Sequence, residues 1–148
     1  MTKNENKIIK QALSILESRA KNSDATLNNA DSVRKYLTLK LAELEHEVFI
    51  AIYMNTRLQV IEFNEMFRGT IDGASVYPRE VVKQALKVNA SAVIFAHNHP
   101  SQVAEPSQAD QQITKRLRDI LELIEVRVID HFVIGGSNII SFSERGLL

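Results

Sequence analysis

Residues 7–20 place Ile8, Ile9, Ala12, Leu13, Leu16 and Ala20 three and four positions apart, the spacing of one helical face. A polar break over 22–29 precedes a second periodic stretch, N-capped by Asp31 or Ser32, that carries Val33, Tyr36, Leu37 and Leu41 towards Glu45. The pattern then changes period. Residues 47–54 are apolar and partly β-branched, Asn55-Thr56-Arg57 supplies a turn, and 58–67 alternates as a returning hairpin partner before Gly69 and Gly73 break the pattern. Pro78 suits the first position of a helix whose Val81, Val82, Ala85 and Leu86 share a face. Ala92-Val93-Ile94-Phe95-Ala96 is short and wholly apolar, as expected of a strand covered on both faces. Beyond a loop bearing Pro100 and Pro106, the pattern predicts a helix over 108–122 and a strand over 126–134. A tight turn at Gly135-Gly136 then leads to a last hairpin strand over 138–142. The order ααββαβαββ predicts an α/β protein of the α+β kind, one mixed sheet flanked by helices.

Composition narrows the chemistry more than the fold. With 148 residues, 45% hydrophobic and 24% charged, the chain lies in the globular range. A chain of this length hides roughly 68–70% of its unfolded surface on folding, enough for a core without staples. It has no cysteine, which excludes disulfides, a thiol nucleophile, iron–sulfur clusters and Cys-ligated zinc. Any metal must be held by His, Asp or Glu. The 18 basic and 18 acidic residues balance, which argues against strong binding to nucleic acid or an anionic membrane, since both need clustered Lys and Arg. The balance conceals a charge of +4 over residues 1–40 and −4 over 41–148. The longest apolar runs, 48–54 and 92–96, are far too short to span a membrane, and the polar start lacks a signal-peptide core. A cytoplasmic protein is expected.

The candidate chemistry sits in one window, from His97-Asn98-His99-Pro100-Ser101 to Pro106-Ser107-Gln108-Ala109-Asp110. On an extended strand, residues i and i+2 project to the same side, so His97 and His99 can converge on one point. On a helix they would diverge by about 200°. The Pro after His99 stops the strand, and the loop beyond it is long enough to return Asp110 to the imidazoles. Two imidazoles and a carboxylate suit Zn²⁺, and three protein ligands with a fourth position left to water mark a catalytic site. The same residues have a plainer reading: Ser107 as a helix N-cap with Asp110 in the first turn needs no metal. That reading accounts for each residue singly but not for two histidines one residue apart at the end of a buried strand.

His-x-His-Pro followed at this spacing by Ser-x-x-Asp resembles the signature of JAMM (JAB/MPN-type) metalloproteases. A longer match over residues 32–148 resembles the bacterial RadC family. It rests on Arg68-Gly-Thr-Ile-Asp72, Val76-Tyr-Pro-Arg-Glu80, Ala96-His-Asn-His-Pro-Ser101, Pro106-Ser-Gln-Ala-Asp110 and Asp130-His131. The resemblance implies a JAB/MPN-like fold with a cytidine-deaminase-like layered architecture over 32–148, and leaves 1–31 as an N-terminal helical extension. It also implies a zinc-dependent hydrolase of peptide, isopeptide or other amide bonds. The zinc ligands would be His97, His99 and Asp110, and Ser107 would bond the active-site water or the oxyanion. The signature's general base, two residues before an aromatic that opens an apolar run, falls on Glu47, with Glu45 in reserve. Fe²⁺ or Mn²⁺ also suits two His and a carboxylate.

Two departures follow. Where the family has Gly after His-Pro-Ser, this chain has Gln102, for which a positive φ is less comfortable. The helix-hairpin-helix-like N-terminal region of full-length relatives finds no match in residues 1–31. Asp130-His131 could contact a liganding imidazole from outside the metal site or be packed and satisfied by backbone. Arg68 and Arg79 could grip a substrate carboxylate. His46 reads as a solvated helix-end residue, and Lys115, Arg116 and Arg118 with Asp119 and Glu122 as a mixed-sign solvent face. The partners expected are a peptide or protein substrate, no strong nucleic-acid contact, no membrane, and a possible second copy of the chain as a homodimer. A non-catalytic accessory role in DNA repair or mobile elements is the alternative the RadC name suggests.

Overall fold

The computed structural model describes residues 1–22, 26–69 and 75–148. Gly73 and the Thr70 to Asp72 part of the first RadC-like motif lie outside them, as do residues 23–25 of the polar break. The elements are α1 (Lys3–Asn22), α2 (Thr26–Leu41), β1 (Val48–Met54), β2 (Val60–Arg68), α3 (Pro78–Lys87), β3 (Ala92–Asn98), α4 (Gln108–Glu122), β4 (Arg127–Gly135) and β5 (Asn138–Ser141). The order is the one the periodicity predicts, and α4 has the predicted bounds.

The first two helices begin earlier than expected, and for α1 the reason is local. Thr2 and Glu5 form a reciprocal capping box: the Thr2 hydroxyl accepts from Glu5 N at 3.1 Å, and the Glu5 carboxylate accepts from Thr2 N at 2.6 Å. The expected caps Asp31 and Ser32 lie inside α2, and Asp31 pairs instead with Lys35 one turn on, at 2.9 Å. The apolar face of α1 is covered only in part. Leu13, Leu16 and Ala20 pack on the core, while Ile8 stays exposed. Among the described residues no helix is long and apolar enough to cross a membrane.

The sheet runs β2-β1-β3-β4-β5. Only β3 and β4 are parallel, the pair joined by the α4 crossover; the other neighbours are antiparallel. Strand alternation divides the core in two. Val48, Ile50, Ile52, Ala92 and Ala96 face α1 and α2, with Leu37 and Leu41. Phe49, Ala51, Tyr53, Val93 and Phe95 face α3 and α4, with Val81, Ala85, Leu117 and Leu121. Continuing that alternation along β3 sends His97 to the face covered by α4.

In β4 the alternation is broken. Val93 pairs with Val128 but Ile94 pairs with Asp130, so one extra residue, Ile129, is bulged into β4. Val128 packs on the α3/α4 side and Ile129 on the α1/α2 side. Strict alternation would then send His131 to the α1/α2 side with Ile129. The bulge reverses the phase, so Phe132 joins the α1/α2 cluster and His131 turns towards α4.

Candidate metal centre

The site forms where β3 ends against the N-terminus of α4. His99 lies one residue past β3, and its N–H still bonds the Ile134 carbonyl of β4 at 2.8 Å, so the extended geometry continues through both histidines. Pro100 then ends the pairing. The chain turns back through a bond from Gln102 N to the His99 carbonyl, 3.0 Å. Gln102 takes φ 71, the left-handed conformation that a glycine would adopt freely. The substitution therefore leaves the turn in place, at a cost of roughly 1–2 kcal/mol for a residue with a Cβ.

Close approach shapes the rest of this loop. A Cβ built on Gly135 would meet Ala104 N at 2.4 Å and the Val103 carbonyl carbon at 2.7 Å. The absent side chain lets the loop lie directly on β4. This loop brings in the Val103 carbonyl, which accepts from His99 Nδ1 at 2.8 Å. Since a carbonyl can only accept, Nδ1 carries the hydrogen and Nε2 is the nitrogen turned to the site.

Ser107 caps α4 as the plainer reading expects. Its hydroxyl accepts from Asp110 N at 3.0 Å, and Asp110 Oδ2 accepts from Ser107 N at 2.9 Å. The cap also fixes the carboxylate that the metal reading needs. His97 Nε2 lies 3.2 Å from Asp110 Oδ1, His99 Nε2 lies 2.9 Å from Asp110 Oδ2, and the two imidazole nitrogens are 3.1 Å apart. The three residues form a cluster able to hold a metal ion.

The donor chemistry fits such an ion. Neutral His99 presents a lone pair at Nε2 to a carboxylate oxygen, an arrangement that requires a cation between them or a second hydrogen on the ring. Zinc bonds of about 2.0–2.1 Å in a tetrahedron set ligand atoms about 3.3 Å apart; the two Nε2 atoms are 3.1 Å apart, and one atom from each of the three residues can be chosen with all of them within 4.8 Å of one another. The three groups are also coupled electrostatically. Burial alone would raise the Asp110 carboxyl, yet the imidazoles of His97 and His99 hold it well below the usual carboxylate range. The hydrogen bond to Asp110 raises His99 above the ordinary histidine value, against burial.

Glu47 precedes β1 and lines the same hollow, about 210 Å³, with Phe49, Val76, His97, Ala109, Asp110 and Ile113. Its Oε1 is 4.0 Å from His97 Nε2 and its side chain is 15% exposed. Glu45 is exposed and does not line this hollow. Asn98, the residue between the two histidines, grips the chain on either side of Glu47. Its Oδ1 accepts from Val48 N at 2.8 Å, and its Nδ2 donates to the His46 carbonyl at 3.0 Å. No local sequence signal marks Asn98 for this task, because its two partners lie about 50 positions away.

Asp130 and His131 divide the two readings given to them. Asp130 accepts from His131 N at 2.7 Å and Ser143 N at 2.9 Å, and it also accepts from the Ser141 hydroxyl, so it ties the chain after β5 to β4. His131 reaches the site: its Nε2 is 2.8 Å from His97 Nδ1 and its Nδ1 is 2.6 Å from Thr114 Oγ1. Burial, together with the neighbouring His97 imidazole, holds His131 well below the ordinary histidine value. Arg68 is turned to Glu65 and His46, and Arg79 is exposed at the start of α3; neither lines the hollow. The His46 ring thus meets Arg68 while its carbonyl holds Asn98. Lys115 pairs with Asp119 on the solvent side of α4, as expected.

A mixed sheet that presents two strand-end imidazoles to a carboxylate in the first turn of the crossover helix has the layout of a JAB-type domain. A family model described as the RadC-like JAB domain matches residues 27–147, and the chain belongs to that family. It is 52% identical to a UPF0758 protein of Vibrio cholerae over 144 residues, which cover 97% of this chain and 90% of that relative. UPF0758 proteins of Marinobacter nauticus and Pseudoalteromonas translucida are 51% and 53% identical over 140 and 125 residues, 95% and 84% of this chain. Those matches span 62% and 56% of the two relatives' lengths.

Proposed function

We propose that the protein is a metal-dependent hydrolase that cleaves an amide bond, peptide or isopeptide, with zinc held by His97, His99 and Asp110. The observation that carries this reading is the convergence of the two Nε2 atoms, 3.1 Å apart, each within 3.2 Å of an oxygen of the Asp110 carboxylate, beside the carboxylate of Glu47. Held by those three residues, zinc would supply a water acidified to a pKa of about 7 and a Lewis acid for the substrate carbonyl. Glu47 takes the proton of the attacking water and delivers it to the departing amine. Ser107 Oγ uses a lone pair to accept from Asp110 N, so its own hydroxyl hydrogen can donate to the oxyanion. Phe49, Val76, Ala109 and Ile113 make the adjoining wall apolar, which suits a small uncharged group beside the scissile bond. The balanced charge supports an amide substrate over a nucleic-acid duplex.

The test separates metal from base. Protein purified without an affinity tag is assayed for metal content and for cleavage of a mixed library of quenched peptides and lysine isopeptides. Glu47→Gln is expected to keep one metal per chain and lose cleavage, whereas His97→Ala loses the metal. A Glu47→Gln protein that cleaves at the parent rate removes Glu47 as the base. A parent protein that takes up no zinc, iron or manganese overturns the reading as a whole.

A further inference from the structure

We propose that His131 and Thr114 form a one-way hydrogen-bond relay that starts at the backbone of Asp110 and sets which nitrogen of His97 is offered to the metal. This rests on the reading of His97, His99 and Asp110 as metal ligands, and it assigns a task to two buried residues that are not themselves ligands.

The two imidazoles need different devices. For His99 the Val103 carbonyl settles the matter, because it only accepts. The partner of His97 Nδ1 is another imidazole nitrogen, His131 Nε2 at 2.8 Å, and that contact is compatible with a hydrogen on either ring. The direction must come from further along. His131 Nδ1 meets Thr114 Oγ1 at 2.6 Å, and this hydroxyl also lies 2.6 Å from the backbone carbonyl of Asp110. A hydroxyl has one hydrogen. When Thr114 donates it to the carbonyl, which can only accept, its oxygen must accept from His131, so His131 carries its hydrogen on Nδ1. A fully buried imidazole between uncharged partners carries a single hydrogen. Its Nε2 is then a lone pair, which accepts from His97 Nδ1 and leaves His97 Nε2 as a lone pair facing His99 and Asp110.

The reversed relay is also self-consistent. There Thr114 donates to His131, His131 donates to His97, and His97 carries its hydrogen on Nε2, pointed into the donor set where it blocks an ion. Reversal costs the Thr114 bond to the Asp110 carbonyl. Asp110 thus acts twice, through its carboxylate as third donor and through its carbonyl as the fixed end of the relay. The β4 bulge is what brings His131 into line.

The test uses the full chain with zinc as the probe, measured by competition with a chromogenic chelator. Thr114→Val keeps the shape and removes the hydroxyl; His131, the partner of the liganding His97, is then free to reverse, and zinc affinity is expected to fall about tenfold or more, the usual effect of disturbing such a partner. Thr114→Ser restores the hydroxyl and is expected to bind within about twofold of the parent. Ring ¹⁵N correlations in the unmodified zinc-loaded protein, which need no variant to fold, are expected to show His131 with its hydrogen on Nδ1. Unchanged zinc affinity in a folded Thr114→Val protein overturns the relay alone, as does a His131 hydrogen on Nε2. A parent that binds no zinc overturns the metal reading and the relay with it.

Discussion

Adding one methyl group at Gly135 tests how tightly the His97, His99 and Asp110 cluster depends on a backbone contact. In Gly135→Ala the new Cβ would lie 2.4 Å from Ala104 N, 2.7 Å from the Val103 carbonyl carbon and 2.8 Å from Ala104 Cα. Carbon atoms in contact sit about 3.5–4.0 Å apart, so the loop must retreat by about 1 Å. Every atom met is backbone, so no side chain can swing aside. Overpacking of this kind costs about 1–3 kcal/mol, which at about 2–4 °C per kcal/mol for a domain of this size lowers Tm by about 2–12 °C. The retreating segment includes Val103, whose carbonyl orients His99, so zinc affinity is expected to fall along with Tm. Gly146 is the control, because its Cβ would meet nothing within 4 Å although its φ is +69°. Gly146→Ala is expected to cost stability through backbone strain alone and to leave zinc binding unchanged. Thermal melts and chelator competition measure both quantities. A Gly135→Ala protein with the parent's Tm and zinc affinity would refute the claim that the loop is held in place by this contact.

Two further outcomes follow from the same geometry. Asn98→Ala strips partners from the buried Val48 N–H and from the His46 carbonyl, at about 1–3 kcal/mol for each group left unsatisfied. It is expected to lower Tm, to keep zinc stoichiometry and to reduce turnover, since the segment holding Glu47 loses its clamp; a parent-like Tm would count against the clamp. Zinc affinity is expected to rise with pH across the range above 6.5. The hydrogen bond to Asp110 raises His99, so a proton competes with the metal until the pH passes that raised value. In the metal-free protein the sign reverses: the His99–Asp110 pair contributes stability that is fully present below 6.5 and is lost as pH rises through the His99 value. Zinc titrations and melts of metal-free protein across pH 6–9 check both signs, and an affinity flat over that range rules out the proton competition.

The legible part of this protein is the part written in local signals. Periods of 3.6 and 2 specify the element order; Pro78 marks where α3 begins because its fixed φ suits the first helical position, and Ser107 marks where α4 begins because its capping box is complete within four residues. His97-x-His99 at the end of an apolar run placed two imidazoles on one side of a strand, and the loop length allowed Asp110 to return to them. Thr2 and Glu5 were equally local, but without apolar periodicity beside them they did not announce the start of α1.

What the tertiary structure alone decided depends on pairing between distant segments. Strand alternation puts Glu45 and Glu47 on the same side, and while the family pattern favours Glu47, it is the packing of the segment before β1 that turns Glu47 to the hollow and leaves Glu45 exposed. Asn98 acts on groups across a neighbouring strand, and Gly135 matters because a loop some 30 positions earlier lies on it. Thr114 reads as an ordinary residue of α4 until the sheet brings His131 against its hydroxyl. His131 itself reads onto the wrong face under simple alternation. Its true face is set by a one-residue bulge in the pairing of β3 with β4, because a register shift inverts every side chain beyond it while leaving the local sequence pattern unchanged.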